Sequence, residues 1–352
     1  MSRRCAGEGL EARPYRGNMR LRKPASGHPA RRLILRERSR WSKRLSKGIG
    51  AAVVVAAILA SGFARGETPA LATTEIAPGV FVHHGVQEDA SPANDDEIAN
   101  IGFIVGNKAV AVIDPGGSYR EGAMLRTEIR NRTTLPIRFV IMTHVHPDHI
   151  FGAAAFRDDH PDFIGHAKLP GALAQRGAYY LRRLHETLGD EAKGSEVVLP
   201  TILVSNRLEL DLGGRRLVIR AHGPAHTDTD LTVFDKKTGT FWLADLLFVD
   251  RIPVIDGSLL GWLDELRNVT AIPAKRAVAG HGSVSSPWPQ AAAAERRYLE
   301  AVARDTRAAI KAGIDIAEAY RHVAQSERGK WLLFDDYHPR NVTAAYKELE
   351  WE

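Results

Sequence analysis

"THVHPDHIFG", Thr143 to Gly152, places His144, His146, Asp148 and His149 within six consecutive positions of a chain that has only 14 histidines. Neighbouring strand residues point to opposite faces, and helical residues two apart diverge, so neither regular element aims all four side chains at one point. A tight turn does, and Pro147 favours one by fixing its own backbone angle. Imidazole nitrogen combined with carboxylate oxygen suits Zn²⁺, Fe or Mn²⁺. The preceding run "IRFVIMTH" reads as a strand, which puts His144 at a strand exit, the usual place for a functional loop on an α/β scaffold.

One such turn supplies half of a two-metal site, and the remaining donors occur downstream. "GPAHTDTD" offers His226 after a strand, "FWLADLLF" puts Asp245 at a strand end, and "VAGHGS" puts His281 in a glycine-flanked loop after an apolar run. The only cysteine is Cys5. It lies in the leader described next, so a mature chain has no thiolate ligand, no cysteine nucleophile and no internal disulfide.

The net charge of +6 invites a nucleic-acid reading, but it is concentrated at one end. Residues 1–66 hold 16 Lys and Arg against 3 Asp and Glu, leaving 32 basic and 39 acidic residues in the rest. The body is acidic, so nucleic-acid binding loses its main support. The basic head leads into a short apolar core, Ile49 to Ala60, followed by small residues, which is the grammar of an export signal. That core is too short to span a bilayer of about 30 Å. The expectation is a periplasmic protein cleaved between about Ala64 and Ala70, with no stable membrane anchor after processing.

Beyond the leader, "GVFVHHG", "NIGFIVG" and "KAVAVIDPGG" read as strands, and Glu121 to Asn131 as a helix. The polar stretch from Gly85 to Ala99 suits an exposed loop. A second helix runs through "GALAQRGAYYLRRLHETLG". Strands follow near Leu208–Leu212, Arg216–Ala221, Leu231–Asp235 and Thr240–Ala244, with "DLGGRR" and "DKKTGT" as hairpin turns. From about Pro289 the periodicity is helical to the end. Two β-rich halves with helices interspersed are therefore expected.

In H-x-H-x-D-H and the later ligands, in their order, the sequence resembles the metallo-β-lactamase superfamily over about residues 76–285. The resemblance implies an α/β (α+β) fold, an αββα sandwich, spanning 67–285, with a C-terminal helical extension over 286–352. It implies two Zn²⁺, with Fe or Mn possible. His144, His146 and His226 would hold one metal, and Asp148, His149 and His281 the second. Asp245 would bridge them and orient a shared hydroxide that attacks a carbonyl or phosphoryl centre. Asp148 would act as a base if only one metal is used. Asp245 in place of cysteine is similar to glyoxalase II and lactonase-type hydrolases, although Ala244 stands where glycine often precedes the bridging Asp. Asp114, in "VIDPGG", fits a carboxylate that orients the histidine turn. "VFVHHG", "ASPANDDEIANIGFIVG", "GHAKLPGALAQRG" and "DLLFVDRIPVIDGSLLGWL" resemble, more closely, the exported quinoprotein relay system zinc metallohydrolases. That likeness implies a functional link to a periplasmic quinoprotein (PQQ-dependent) dehydrogenase.

The expected activity is hydrolysis of a small ester, thioester, lactone or amide. A mononuclear non-haem iron oxygenase of the same fold and a non-catalytic metal-binding accessory factor are the alternatives. Arg251, six residues after Asp245, is the preferred anion clamp, with Lys168 and His84 as further substrate-contact candidates. Asp228 and Asp230 are expected to fix the His226 loop, and Tyr179 to Arg183 to be mixed core and surface. His222, Trp242 and Trp262 are expected to be structural.

Overall fold

The computed structural model describes residues 68–352. The leader, with Cys5 and the apolar core, lies outside them, as does the cleavage segment up to residue 67. The first sheet runs in chain order: β1 (Thr74–Ala77), β2 (Val80–Val82), β3 (Gly102–Val105), β4 (Val110–Ile113), β5 (Ile137–Ile141), β6 (Asp162–His166) and β7 (Ile202–Val204). Its pairing is antiparallel from β1 to β4 and parallel from β4 to β7. The second sheet comprises β8 (Arg207–Asp211), β9 (Arg216–Ala221), β10 (Leu231–Asp235), β11 (Thr240–Phe248), β12 (Arg276–His281) and β13 (Ser286–Pro287), in the order β13-β12-β11-β10-β9-β8. Only β11 and β12 pair in parallel there.

Strand periodicity explains the layering. Along β4, Ala111 and Ile113 face the second sheet while Val110 and Val112 face outward, into a separate core beneath the helices α1 (Tyr119–Arg132) and α3 (Leu169–Leu188). The short α2 (Pro147–Ile150) lies between them in sequence. On the far side, α4 (Leu259–Thr270), α5 (Ala292–Lys311), α6 (Ile316–Ala319) and α7 (Phe334–Leu349) cover the second sheet. The four layers are therefore helix, sheet, sheet, helix, as the fold expectation held. Serine caps fix two helix starts: Ser118 Oγ accepts from Glu121 N at 3.1 Å and Ser258 Oγ from Gly261 N at 2.9 Å.

The C-terminal helices do not form a separate core. Tyr298, Leu299, Trp331, Phe334 and Val342 share one buried cluster with Phe241, Leu247 and Trp262. The chain between Asp250 and Ile252 also pairs with Leu332: Leu332 N donates to Asp250 O at 2.8 Å and Ile252 N to Leu332 O at 3.1 Å. Among the described residues no helix is long and apolar enough to cross a membrane.

Asp245 does not sit at a strand end. β11 continues through it to Phe248 and is buried along its whole length. The ladder with β12 breaks between Trp242 and Ala244, and Ala244 is left-handed at φ 48°. This irregularity re-aims the next side chain out of the strand's regular alternation.

Candidate metal centre

The histidine turn has two local conformations in succession. His144 lies in a bend just after β5, and His146, the residue before α2, is extended at φ −72° and ψ 147°. Pro147 then opens one helical turn, which brings Asp148 and His149 round to the same side, with His149 N donating to His146 O at 3.2 Å. Asp114, itself left-handed at φ 54°, anchors the turn from below. Its carboxylate accepts from Thr143 N at 2.8 Å, Thr143 Oγ1 at 2.9 Å and His149 Nδ1 at 2.8 Å. Thr143 Oγ1 in turn accepts from His144 Nδ1 at 3.0 Å.

Two donor groups result, one of His144, His146, His226 and Asp245, the other of Asp148, His149 and His281, with ligand atoms in each within 4.8 Å of one another. Asp245 touches both: Oδ2 lies 3.3 Å from His226 Nε2, 3.7 Å from His144 Nε2 and 3.4 Å from His281 Nε2, while Oδ1 lies 3.2 Å from His149 Nε2. Asp148 Oδ2 is 3.3 Å from His281 Nε2 and 3.4 Å from His149 Nε2.

Each of the five imidazoles uses its outer nitrogen for an oxygen. Besides the bonds of His144 and His149, His226 Nδ1 donates to Val254 O at 2.7 Å and His281 Nδ1 to Ile98 O at 2.8 Å. His146 Nε2 donates to Asp256 at 3.1 Å. The inner nitrogens therefore face the centre, each able to offer the lone pair that metal ligation needs once it is unprotonated. His144 Nε2, His149 Nε2 and Asp245 Oδ1 are buried with no hydrogen-bond partner among the described residues. Such orphaned atoms are costly unless a cation completes them, so the donor set fits two divalent metals of the nitrogen- and oxygen-loving kind.

Room for the carboxylate depends on Gly280, where an added Cβ would meet Asp245 Oδ1 at 1.8 Å. Asn100, fully buried, steadies the same loop by donating to Ala279 O at 2.9 Å and Gly282 O at 3.0 Å.

The electrostatics differ between the two groups. Burial lowers the pKa of His144 well below its ordinary value and that of His226 to about 4, so both stay neutral. Burial also works against the charged form of His149, yet Asp245, Asp148 and Asp114 outweigh it and raise that pKa well above normal. His281 is raised in the same way, mainly by Asp245. For Asp245, burial favours the neutral form, but His281, His149 and His144 hold the carboxyl well below the usual range.

The family model of the metallo-β-lactamase superfamily matches residues 94–281. The chain belongs to the metallo-β-lactamase superfamily. A metallo-β-lactamase from Pontibacter korlensis has the same fold at 15% identity and a TM-score of 0.54, over 65% of this chain and 99% of that one. A metallo-β-lactamase from Erythrobacter litoralis gives 16% and 0.50, over 65% and 95%. A double mutant of the sec-alkyl sulfatase PisA1 gives 14% and 0.58, over 80% of this chain and 51% of that one. No curated protein matches the sequence significantly. This superfamily and these neighbours comprise metal-dependent hydrolases, and the two His/Asp groups here are typical of its dinuclear site.

Within this metallo-β-lactamase fold a cavity of about 230 Å³ opens over the ligands, walled by Tyr180, Arg251, Tyr337 and Arg340 among others. Arg251 thus reaches the site, although it is 3% exposed and pinned to Glu88 O at 3.1 Å and the Tyr337 hydroxyl at 3.3 Å. Lys168 does not. It is exposed at the start of α3, outside the cavity lining, and its backbone N–H donates to His166 Nδ1 at 3.0 Å. His84 is exposed and lines a different cavity, with Asp250 and Lys330. Neighbouring His83 is buried and donates to Ala72 O. Asp230 fixes the His226 loop by accepting from Thr227 N at 2.9 Å and Thr227 Oγ1 at 2.6 Å, while Asp228 is exposed. Tyr180 is a cavity wall, its ring edge-on to His146 at 6.4 Å. His222 spends both nitrogens on Glu265 and Thr232, and Trp242 lies between the sheets. Trp262 packs edge-on against His226 at 5.3 Å.

Three residues of the site carry no local signal in the sequence. Asp256 accepts from His146 and is paired with Arg176. Asn341 of α7 holds the chain that carries both Val254 and Asp256: it donates to Pro253 O at 2.7 Å and accepts from Ile255 N at 2.9 Å. Glu295 of α5, fully buried, accepts from Phe248 N at 3.0 Å, and burial raises its pKa well above normal.

Proposed function

We propose that the protein is an exported dinuclear zinc hydrolase that cleaves an ester, thioester, lactone or amide. The observation that carries this reading is the set of five imidazoles bonded outward to oxygen, whose inner nitrogens converge with Asp148 and Asp245. His144, His146 and His226 would hold one cation, Asp148, His149 and His281 the other, and Asp245 both. Two divalent cations bound there would supply Lewis acidity and water acidified to a pKa near 7. Asp245, fixed by the β11 irregularity and backed by Gly280, would be placed to orient such water toward a substrate carbonyl. Asp148 keeps 13% of its side-chain surface exposed and lines the cavity, where His149 and His281, against burial, hold it ionised, as a ligand of the second cation must be. Phe248 and Val254 supply apolar lining beside the donors.

The basic leader and apolar core favour export to the periplasm, where a quinoprotein dehydrogenase would be the functional neighbour. Metal analysis of the purified protein, with a hydrolysis screen of esters, thioesters and lactones and Asp245→Asn as control, tests the activity. Two zinc ions per chain and hydrolysis lost in the variant are expected. One iron per chain with oxygen consumption would refute it. Sequencing the N-terminus of protein recovered from the periplasm tests export.

A further inference from the structure

We propose that the substrate is a small organic carboxylate and that Arg340, with Arg251, holds its negative group at the mouth of the metal cavity. This rests on the hydrolase reading above and adds the substrate class and its recognition.

Arg340 and Arg251 both line the cavity that opens over the ligands, and both guanidinium groups lie against one ring, that of Tyr337, at 5.7 and 5.5 Å from its centroid. Two like charges gathered at one aromatic ring repel each other, which makes the arrangement unfavourable unless an anion joins them. Neighbouring arginines are spent: Arg176 on Asp256, Arg183 on Glu186 and Arg328 on Asp335. Arg340 has no carboxylate within 4 Å among the described residues, and Asp336 one turn earlier leaves it free. Arg251 is only partly balanced. Among the described residues its ion pair is with Asp89 at 3.6 Å, buried Asp96 also feels its charge, and its buried Nε has no hydrogen-bond partner. The Tyr337 phenol cannot serve as the counter-charge, because burial and its bond to Asp89 push its pKa up to about 12.

A planar guanidinium matches a carboxylate in two parallel hydrogen bonds, and Arg340 has such donors available. Tyr180, Tyr337 and Ile98 supply apolar wall for the rest of the molecule. A cavity of about 230 Å³, sharing Asp148, Tyr180 and Tyr337 with a second of about 290 Å³, gives room for a small molecule. The substrate is therefore an ester, thioester or lactone of a small acid that carries a second, free carboxylate.

Matched probes test this: 4-nitrophenyl hydrogen succinate, which is anionic, and 4-nitrophenyl butyrate, which is neutral, with calorimetric binding of glutarate to the zinc-loaded protein. The wild type should prefer the anionic ester at least about tenfold in kcat/KM, the worth of roughly one charge-assisted contact. Arg340→Gln should collapse that ratio, chiefly through KM, and weaken glutarate; Arg340→Lys should restore part of both. An unchanged ratio in Arg340→Gln, or no preference in the wild type, overturns the proposal. If neither ester is cleaved, the hydrolase reading fails separately. Glutarate then decides the subsite: binding lost in Arg340→Gln upholds it, and binding absent or unaltered overturns it.

Discussion

Asn341→Leu isolates what the C-terminal helices contribute to the metal centre. Asn341 is fully buried, donates to Pro253 O and to the Tyr298 hydroxyl at 2.9 Å, and accepts from Ile255 N. Leucine has similar volume and keeps the packing, but it leaves the Ile255 N–H and the Pro253 carbonyl buried without partners. Each orphaned group costs about 1–3 kcal/mol, so the expected loss is roughly 3 kcal/mol. Tyr298 keeps a partner in His338 Nδ1 at 3.0 Å and adds little. A loss of that size lowers the melting temperature by about 6–12 °C in a domain of this length. The same segment carries the acceptors for His226 and His146, and removing such support typically weakens metal affinity by about 10–100-fold. Thermal unfolding of zinc-free and zinc-loaded protein, with chelator competition for affinity, measures both effects, and Lys347→Ala on the exposed face of α7 is the control. A variant that melts within about 2 °C of wild type and holds zinc as tightly would refute the reasoning.

Gly280→Ala should displace Asp245, since its Cβ would lie 1.8 Å from Oδ1, and lower hydrolysis by at least about 100-fold, while overpacking costs about 1–3 kcal/mol; rates and melting curves check both. Glu295 has a raised folded pKa, so its contribution is present below the ordinary carboxyl range and is lost as pH rises through the folded value. Glu295→Gln should therefore match wild type in acid and exceed it in stability at alkaline pH, which denaturant titrations at several pH values would show. Raised pKa values on His149 and His281 mean that a metal entering the second group displaces protons, whereas neutral His144 and His226 impose no such requirement. Calorimetric zinc titration in buffers of different ionisation enthalpy should show proton release for one site and an affinity that rises with pH; a pH-independent second site would contradict this.

The seven candidate donors are legible because their chemistry is local. A histidine-rich turn after a strand, then single His or Asp residues after later strands, needs no knowledge of long-range contacts. Asp245 was found for its chemistry but placed wrongly, because "FWLADLLF" gives no hint that Ala244 turns left-handed inside a continuing strand. Lys168 and His84 failed for a different reason: nearness in sequence to a likely strand exit says nothing about which side of the loop faces the metals. Asp256 and Asn341 lie 110 and 195 positions from His146, and only long-range packing brings them to its neighbourhood: Asp256 N donates to His226 O, and α7 carries Asn341. Helical periodicity after Pro289 was readable, but the surface those helices cover was not.

That division has a chemical consequence. The sandwich supplies the seven donors and the carboxylates Asp114, Asp148 and Asp245, whose three negative charges two divalent cations would more than offset. Selection of one anionic group at the cavity mouth must then come from groups outside the donor set. Arg251 and Arg340 fill that role, and both depend on the C-terminal helices: Arg340 and Tyr337 belong to α7, and the strand-like segment at Leu332 pins Arg251. Metal chemistry and substrate choice therefore rest on different parts of the chain, joined through Asn341. Exchanging the α7 face while keeping Asn341 would leave the means of hydrolysis in place and change what reaches it.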